Sequence, residues 1–388
     1  MQRLAFCCLI ASCTTGTGPG ESPAPDAGAV QHESSAAPPC LLDASASGTL
    51  ALDDAHNVWC WGSNNQNECA RPSTTNFVAE PVMVQGIDGE VVDIHAGFQG
   101  NCARTSDGKL WCWGTVLQAV DGLEGLRSRE ADAIPRVVAE RVRHAATGLN
   151  GVCVLHEEGT VRCWGEWTVG DGELVPELSD VVSLSFKSQH VCVLHETGDV
   201  SCWGRGDTHQ LANGGVESAV PIRIDGIPPA VEVSVGNGHS CIRTGNGDVW
   251  CWGGVQFNRY GQAGGGLEGN PTPQRVAQGA VQLKAGMEHT CIIKAEGTPW
   301  CWGRNDDGQS SAGEGPEYVF TPTQVVADFD GVRVHTVGGG AHHECAMTDD
   351  NRVWCWGNNQ GGTLGVGTQV RSPVPVLAHF RCHATGPL

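Results

Sequence analysis

The sequence predicts an all-β fold, a seven-bladed β-propeller, on three observations. Cys-Trp-Gly recurs seven times, at Cys60, Cys112, Cys163, Cys202, Cys251, Cys301 and Cys355; in six copies another cysteine stands ten residues earlier; and a Pro-x-x-Val segment recurs between copies. The triplets start 52, 51, 39, 49, 50 and 54 residues apart. A period of roughly 40 to 50 residues marks propellers and solenoids.

One strand of each unit reads apolar-x-x-Gly, at 94–97, 233–236, 283–286 and 337–340. Two more form a hairpin: the run 102–112 centres on Ser106-Asp107-Gly108 with alternating residues on either side, the signature of a three-residue loop with a left-handed glycine. Such a loop sets residues 102 and 112 opposite each other, about 4.5 to 5.5 Å apart at Cα, a separation suited to a disulfide. The predicted pairs are Cys102 with Cys112, Cys153 with Cys163, Cys192 with Cys202, Cys241 with Cys251, Cys291 with Cys301, and Cys345 with Cys355. The remaining strand is the Pro-x-x-Val element, at 81–84, 135–138, 221–224, 273–276, 322–325 and 373–376, degenerate at 176–178. Proline is tolerated at the start of a strand, where no ladder donor is lost. Four short strands in each of seven units describe seven blades.

The first unit has no Pro-x-x-Val before it and the last has one after it, so the N- and C-terminal strands are expected to close the ring within one blade. Aligning Cys40 with Val281, and counting six residues on from Val376, brings Cys40 to Cys382 as a predicted lock. Leu50 replaces the first cysteine of its unit, which leaves Cys60 with Cys69 as its nearby partner; a free Cys60 is the alternative. Four cysteines allow three pairings. The ten-residue spacing of the repeated pairs differs from usual zinc-ligand spacing.

The strings CWGSNNQNECA at 60–70, CWGRNDDGQ at 301–309 and CWGNNQGGTLGVG at 355–367 resemble the repeat of the regulator of chromosome condensation family, of the form GxxHxCAL, then a turn, then WCWGxNxxGQLG. The likeness covers 41 to about 382 and is weakest in the second and third units. It implies a seven-bladed ring whose loops on one face bind protein partners. Twelve of the 13 tryptophans lie in or just before the triplets, a distribution that favours blade packing over sugar stacking. Only Trp167 stands apart.

Met1-Gln2-Arg3, an apolar run from Leu4 to Ala11, and Ile10-Ala11-Ser12-Cys13 resemble a bacterial lipoprotein signal with its lipobox. That resemblance implies a signal peptide over 1–12, lipidation at Cys13 and a flexible linker, rich in Gly, Pro, Ser, Thr and Ala, completing 13–39; the propeller then spans 40–388. The alternative is an ordinary secretory signal. Both place the chain outside the cytoplasm, lipid-anchored at the outer membrane or in the periplasm, or secreted, where disulfides persist.

A net charge of −20 opposes binding to nucleic acid and anionic lipid, and membrane contact is expected through the lipid alone. His190, His239, His289 and His343 each stand two residues before the first cysteine of their unit. Gathered about one axis they could bind a transition metal, but Gly48, Gly100 and Gly151 hold that position elsewhere, and a structural role is the preferred reading. Asp306-Asp307-Gly308 and Arg205-Gly206-Asp207 read as turns rather than a calcium loop or an adhesion tripeptide. Catalytic signatures are absent: no Gly-x-Ser-x-Gly, phosphate loop or His-Glu-x-x-His occurs.

The expected function is therefore a non-catalytic, monomeric, protein- or glycan-binding scaffold without a cofactor. Specificity is expected in the diverged loops 115–136 and 166–178, with Trp167, Phe257, Tyr260, Tyr318 and Phe320 as candidate anchors. The alternatives are an inhibitor that covers a hydrolase active site and, third, guanyl-nucleotide exchange as in the family founder.

Overall fold

The structure, a computed structural model, describes residues 40–46, 48–71, 76–120, 133–149, 151–165, 172–255, 260–310 and 313–382. These form seven antiparallel sheets, each drawn from one continuous stretch of chain. In the first blade β1 (Leu41–Ala44), β2 (Gly48–Leu52), β3 (Val58–Ser63) and β4 (Phe77–Met83) follow in chain order from the ring axis outward. The same four-strand meander recurs over 91–139, 181–223, 230–277, 280–324 and 334–381. The third blade, 142–165, keeps three strands plus a single bridge between Arg162 and Leu174. Successive side chains of an inner strand face the two neighbouring blades, Leu41 toward blade two and Leu42 toward blade seven, so the apolar residues pack in seven clusters that mostly bridge adjacent blades.

The hairpin registers follow the cysteine spacing. Cys102 pairs directly with Cys112, the turn closes with the Gly108 amide donating to the Thr105 carbonyl, and Gly108 is left-handed at φ 82°. The six cross-strand disulfides join Cys102–Cys112, Cys153–Cys163, Cys192–Cys202, Cys241–Cys251, Cys291–Cys301 and Cys345–Cys355, each with Cα atoms 4.1 Å apart. Cys60 is bonded to Cys69 while Leu50 faces it across the ladder. Eight disulfides with these cysteines indicate an oxidising, extracytoplasmic compartment. Among the described residues no helix is long and apolar enough to cross a membrane.

The expected closure by N- and C-terminal strands in one blade does not occur. Each Pro-x-x-Val element is the outer strand of the blade that precedes it: Cys60 pairs with Val82, and Cys355 with Val376. The physical reason is locality, because the loop after Cys-Trp-Gly returns this strand antiparallel to the strand it has just left. The ring is instead locked from outside. The last strand, Ser372–Arg381, runs ten residues, and its end carries Phe380 against Trp59 and Trp61 of the first blade. Cys382 then bonds Cys40, with Cα atoms 6.0 Å apart, and its carbonyl accepts from the Asp54 amide.

Candidate functional site

Six of the Cys-Trp-Gly tryptophans are wholly buried, which closes them to sugars; Trp164 of the third blade is only half-buried. Four of these indoles reach back to the preceding blade: Trp252 donates to the Gln210 carbonyl, Trp61 to that of Thr363, Trp113 to that of Glu68 and Trp356 to that of Gln309. The four histidines complete the same seams. His190 Nε2 lies 2.8 Å from Ser240 Oγ, His239 Nε2 2.9 Å from Thr290 Oγ1, and His343 Nε2 3.1 Å from Thr49 Oγ1. Ser240 and Thr290 spend their protons on the carbonyls of Gln210 and Gln262, so they accept from the imidazoles, and Nε2 carries the proton. Burial pushes His190 and His343 down to about 3 and His239 well below its ordinary value, which keeps these rings neutral.

In the seventh blade Glu344 stands where its neighbours have Ser or Thr. One carboxylate oxygen faces His289 Nε2 at 2.9 Å; the other accepts from the amides of Gly338, Gly339 and Cys345. Burial acts to raise the Glu344 pKa, but the His289 hydrogen bond and charge, with these amides, hold it below the usual carboxylate range. His289, Cys291 and Glu344 lie close enough to share an ion, yet Cys291 is spent in a disulfide and offers no thiolate. Each histidine is committed to a separate partner in the next blade. The arrangement is a set of structural seams.

The loops that return each chain from the third strand to the fourth carry the candidate interaction face. Three predicted anchors meet there: the Tyr260 and Tyr318 ring centroids are 5.9 Å apart, and those of Tyr318 and Phe320 6.2 Å. The Arg304 guanidinium sits 5.4 Å from the Tyr260 centroid and is held by Glu288 and Asp306, each at 2.5 Å. A cavity of about 260 Å³ adjoins, lined by Gln189, Arg205, Tyr260 and Glu288. Arg205 bonds Gln189 and pairs with Asp207 at 2.6 Å, so Arg205-Gly206-Asp207 is tied within itself. Asp307 and Gly308 form a turn: the Gly308 amide donates to the Asn305 carbonyl and the Asp307 amide to Gln309 Oε1.

The other anchors, Trp167 and Phe257, lie outside the described residues, as do Cys13, loop segments 121–132 and 166–171, and the whole of 1–39. Within the expected specificity loop 115–136, the described helix Val116–Val120 turns inward: Val116, Leu117 and Ala119 are buried against Val142 and Val152. That part is packing, because three apolar residues in one turn outweigh any exposed role. Sequence reasoning passed over Arg304, Glu288 and Glu344; the signal available for Glu344 was its departure from Ser or Thr in the repeat.

Blades of four antiparallel strands, stapled hairpins and polar seams define a propeller built from a 50-residue repeat that displays loops on a rigid ring. The regulator of chromosome condensation (RCC1) repeat matches residues 91–115, 181–210, 230–262, 280–309 and 334–363, and further at 197–242 and 350–381. The chain belongs to that repeat family.

Relatives include the ultraviolet-B receptor UVR8 of Arabidopsis thaliana, 36% identical over 72 residues, and the mitochondrial RCC1 domain-containing protein RUG3 of the same plant, 27% identical over 155. The first match covers 19% of this chain and 16% of the relative, the second 39% and 35%, so the chain spans only a minor part of either. Among solved structures, Prp20p of Saccharomyces cerevisiae superposes with a TM-score of 0.73 at 21% identity over 87% of both chains. Human WBSCR16 superposes at 0.70 and 17% identity, over 83% of this chain and 93% of its own. These likenesses establish the fold.

Proposed function

We propose that this protein is a non-catalytic, protein-binding propeller, exported and anchored by lipid on Cys13 after removal of 1–12, with 13–39 as a tether. The observation that carries the binding reading is the clustering of Tyr260, Tyr318 and Phe320 beside Arg304 on one loop face. Tyrosine and arginine are the residue types that dominate interface energetics, and this set is held by rigid strands. Glu288, Asp306 and Glu317 surround the patch, in keeping with a chain of net charge −20, so the favoured partner is a basic protein surface. Binding to Gsp1p and histones is described for Prp20p, which supports a partner-binding role for such rings. Nucleotide exchange is not proposed, since export removes the GTPase partner. A ring that covers a hydrolase active site is the second reading, favoured by the cavity beside the part-buried Tyr260 and Tyr318 and the exposed Phe320.

Capture from envelope extracts tests this. The intact ring should retain one partner that Tyr260→Ala/Tyr318→Ala loses, and a hydrolase inhibited in that complex selects the second reading. Equal retention by both proteins overturns the patch. Labelling with a fatty-acid analogue should mark the wild type and leave Cys13→Ser unmarked; label on neither removes the anchor.

A further inference from the structure

The inner strands of six blades enclose an axial cavity of about 370 Å³. At the place where other blades end this strand with glycine, at Gly97, Gly148, Gly236, Gly286 and Gly340, the fourth blade has Lys187. Its strand ends at Lys187, which pairs with His190 across a tight turn where Ser188 is left-handed at φ 53°. The side chain crosses the axis, and Nζ donates to the carbonyls of Ala285 at 3.2 Å and Gly339 at 2.6 Å. An ammonium has three donors, so one remains.

The carboxylates around this lysine are already committed. Asp43 pairs with Lys284 at 2.7 Å and accepts from the Ala96 amide; Glu232 pairs with Arg243 at 2.7 Å; Asp93 faces His95 and Arg104. Glu344 is turned into its amides and His289. Burial, with the charge of Lys284, pushes the Lys187 ammonium down to about 8. One further group lining the cavity is nine-tenths buried and makes no hydrogen bond among the described residues: Thr147 Oγ1. A buried polar atom without a partner costs free energy that a ligand can recover.

We propose that the axial cavity is a binding site for a small monocarboxylate, seated on Lys187 with Thr147 as its other polar contact. Two carboxylate oxygens match the single remaining ammonium donor and the hydroxyl, and of the two lysines lining the cavity only Lys284 is paired with a carboxylate, Lys187 being held by carbonyls. A dianion such as phosphate would meet Asp43, Asp93 and Glu232 at the same wall. The site is separate from the aromatic face and does not depend on the partner reading.

Acetate titrated into the full-length protein at pH 7, with chloride holding ionic strength constant, should raise the unfolding midpoint saturably. Carbon-13 acetate should broaden with folded protein. Lys187→Met should weaken acetate binding at least tenfold and Thr147→Val several-fold, while Tyr260→Ala leaves it unchanged. Should Lys187→Met fail to fold, Thr147→Val decides. An unsaturable acetate effect, equal binding by wild type and both channel variants, or tighter binding of phosphate than acetate overturns the proposal.

Discussion

From blade four round to blade one, a buried histidine crosses each seam to a hydroxyl or carboxylate of the next blade. From blade one to blade four the same seat is glycine; between blades two and four apolar groups fill the space, while the first seam is bridged by Asn101 and Trp113 donating to the Glu68 carbonyl. A Cβ on Gly100 would come within 3.0 Å of Val116 Cβ, and one on Gly151 within 3.0 Å of the Phe186 ring. The same seven-fold geometry is thus held by two chemistries. The polar seams fix register through specific donors and acceptors but depend on protonation state; the apolar seams tolerate sequence drift and are indifferent to pH. This accounts for divergence concentrating in the second and third blades while the ring stays closed.

The heaviest way to break the comparison is to open the ring where the polar set ends. Replacing Cys40 and Cys382 by alanine releases a loop of 342 residues and should cost about 5 kcal/mol, against about 3 kcal/mol for the short Cys291–Cys301 pair. Urea unfolding of both double variants checks this. Equal losses would mean that Phe380 and the His343 seam, rather than the disulfide, close the ring.

Next in size, Phe186→Ala empties the apolar seam between blades three and four and should lower stability by about 4 kcal/mol, with no change in its pH dependence. A loss below about 1 kcal/mol would show that these blades collapse onto each other.

Glu344→Gln tests a polar seam, and about 2 to 3 kcal/mol should be lost at pH 7 as His289 and three amides lose their charged acceptor. The Glu344 carboxyl is lowered in the folded state, so its stabilisation is present above the unfolded value near 4.5 and disappears as pH falls below it. His190 and His343 are neutral when folded and ordinary bases when unfolded, so acid favours the unfolded chain from about pH 6.5 down to about 3. Hydrogen exchange on acidification should therefore release blades four to seven before the seam at Phe186. Simultaneous release would erase the distinction.

Tyr318→Ala should change stability least, by under about 0.5 kcal/mol, because the ring is only part-buried and touches other loop-face aromatics rather than the blade core. Its effect belongs to binding, read as partner affinity in a titration.

The blades, their count and the hairpin registers were legible because strand pairing here is local: ten residues between cysteines leave one geometry for the turn. The closing blade was misread because the Pro-x-x-Val strand carries no mark of direction, and only the pairing of Val82 with Cys60 shows which neighbour it joins. Tyr260, Tyr318 and Phe320 were recognisable as loop aromatics, yet nothing along the chain told that they meet.

Repeat spacing by itself determined the blade number, the stapled hairpins and the redox compartment, since each depends on contacts within about a dozen residues. Tertiary structure alone decided how the ring closes, which seams are polar, and where Lys187 points. Those depend on residues 50 to 340 positions apart, and the closed ring, not local propensity, brings them within hydrogen-bond distance.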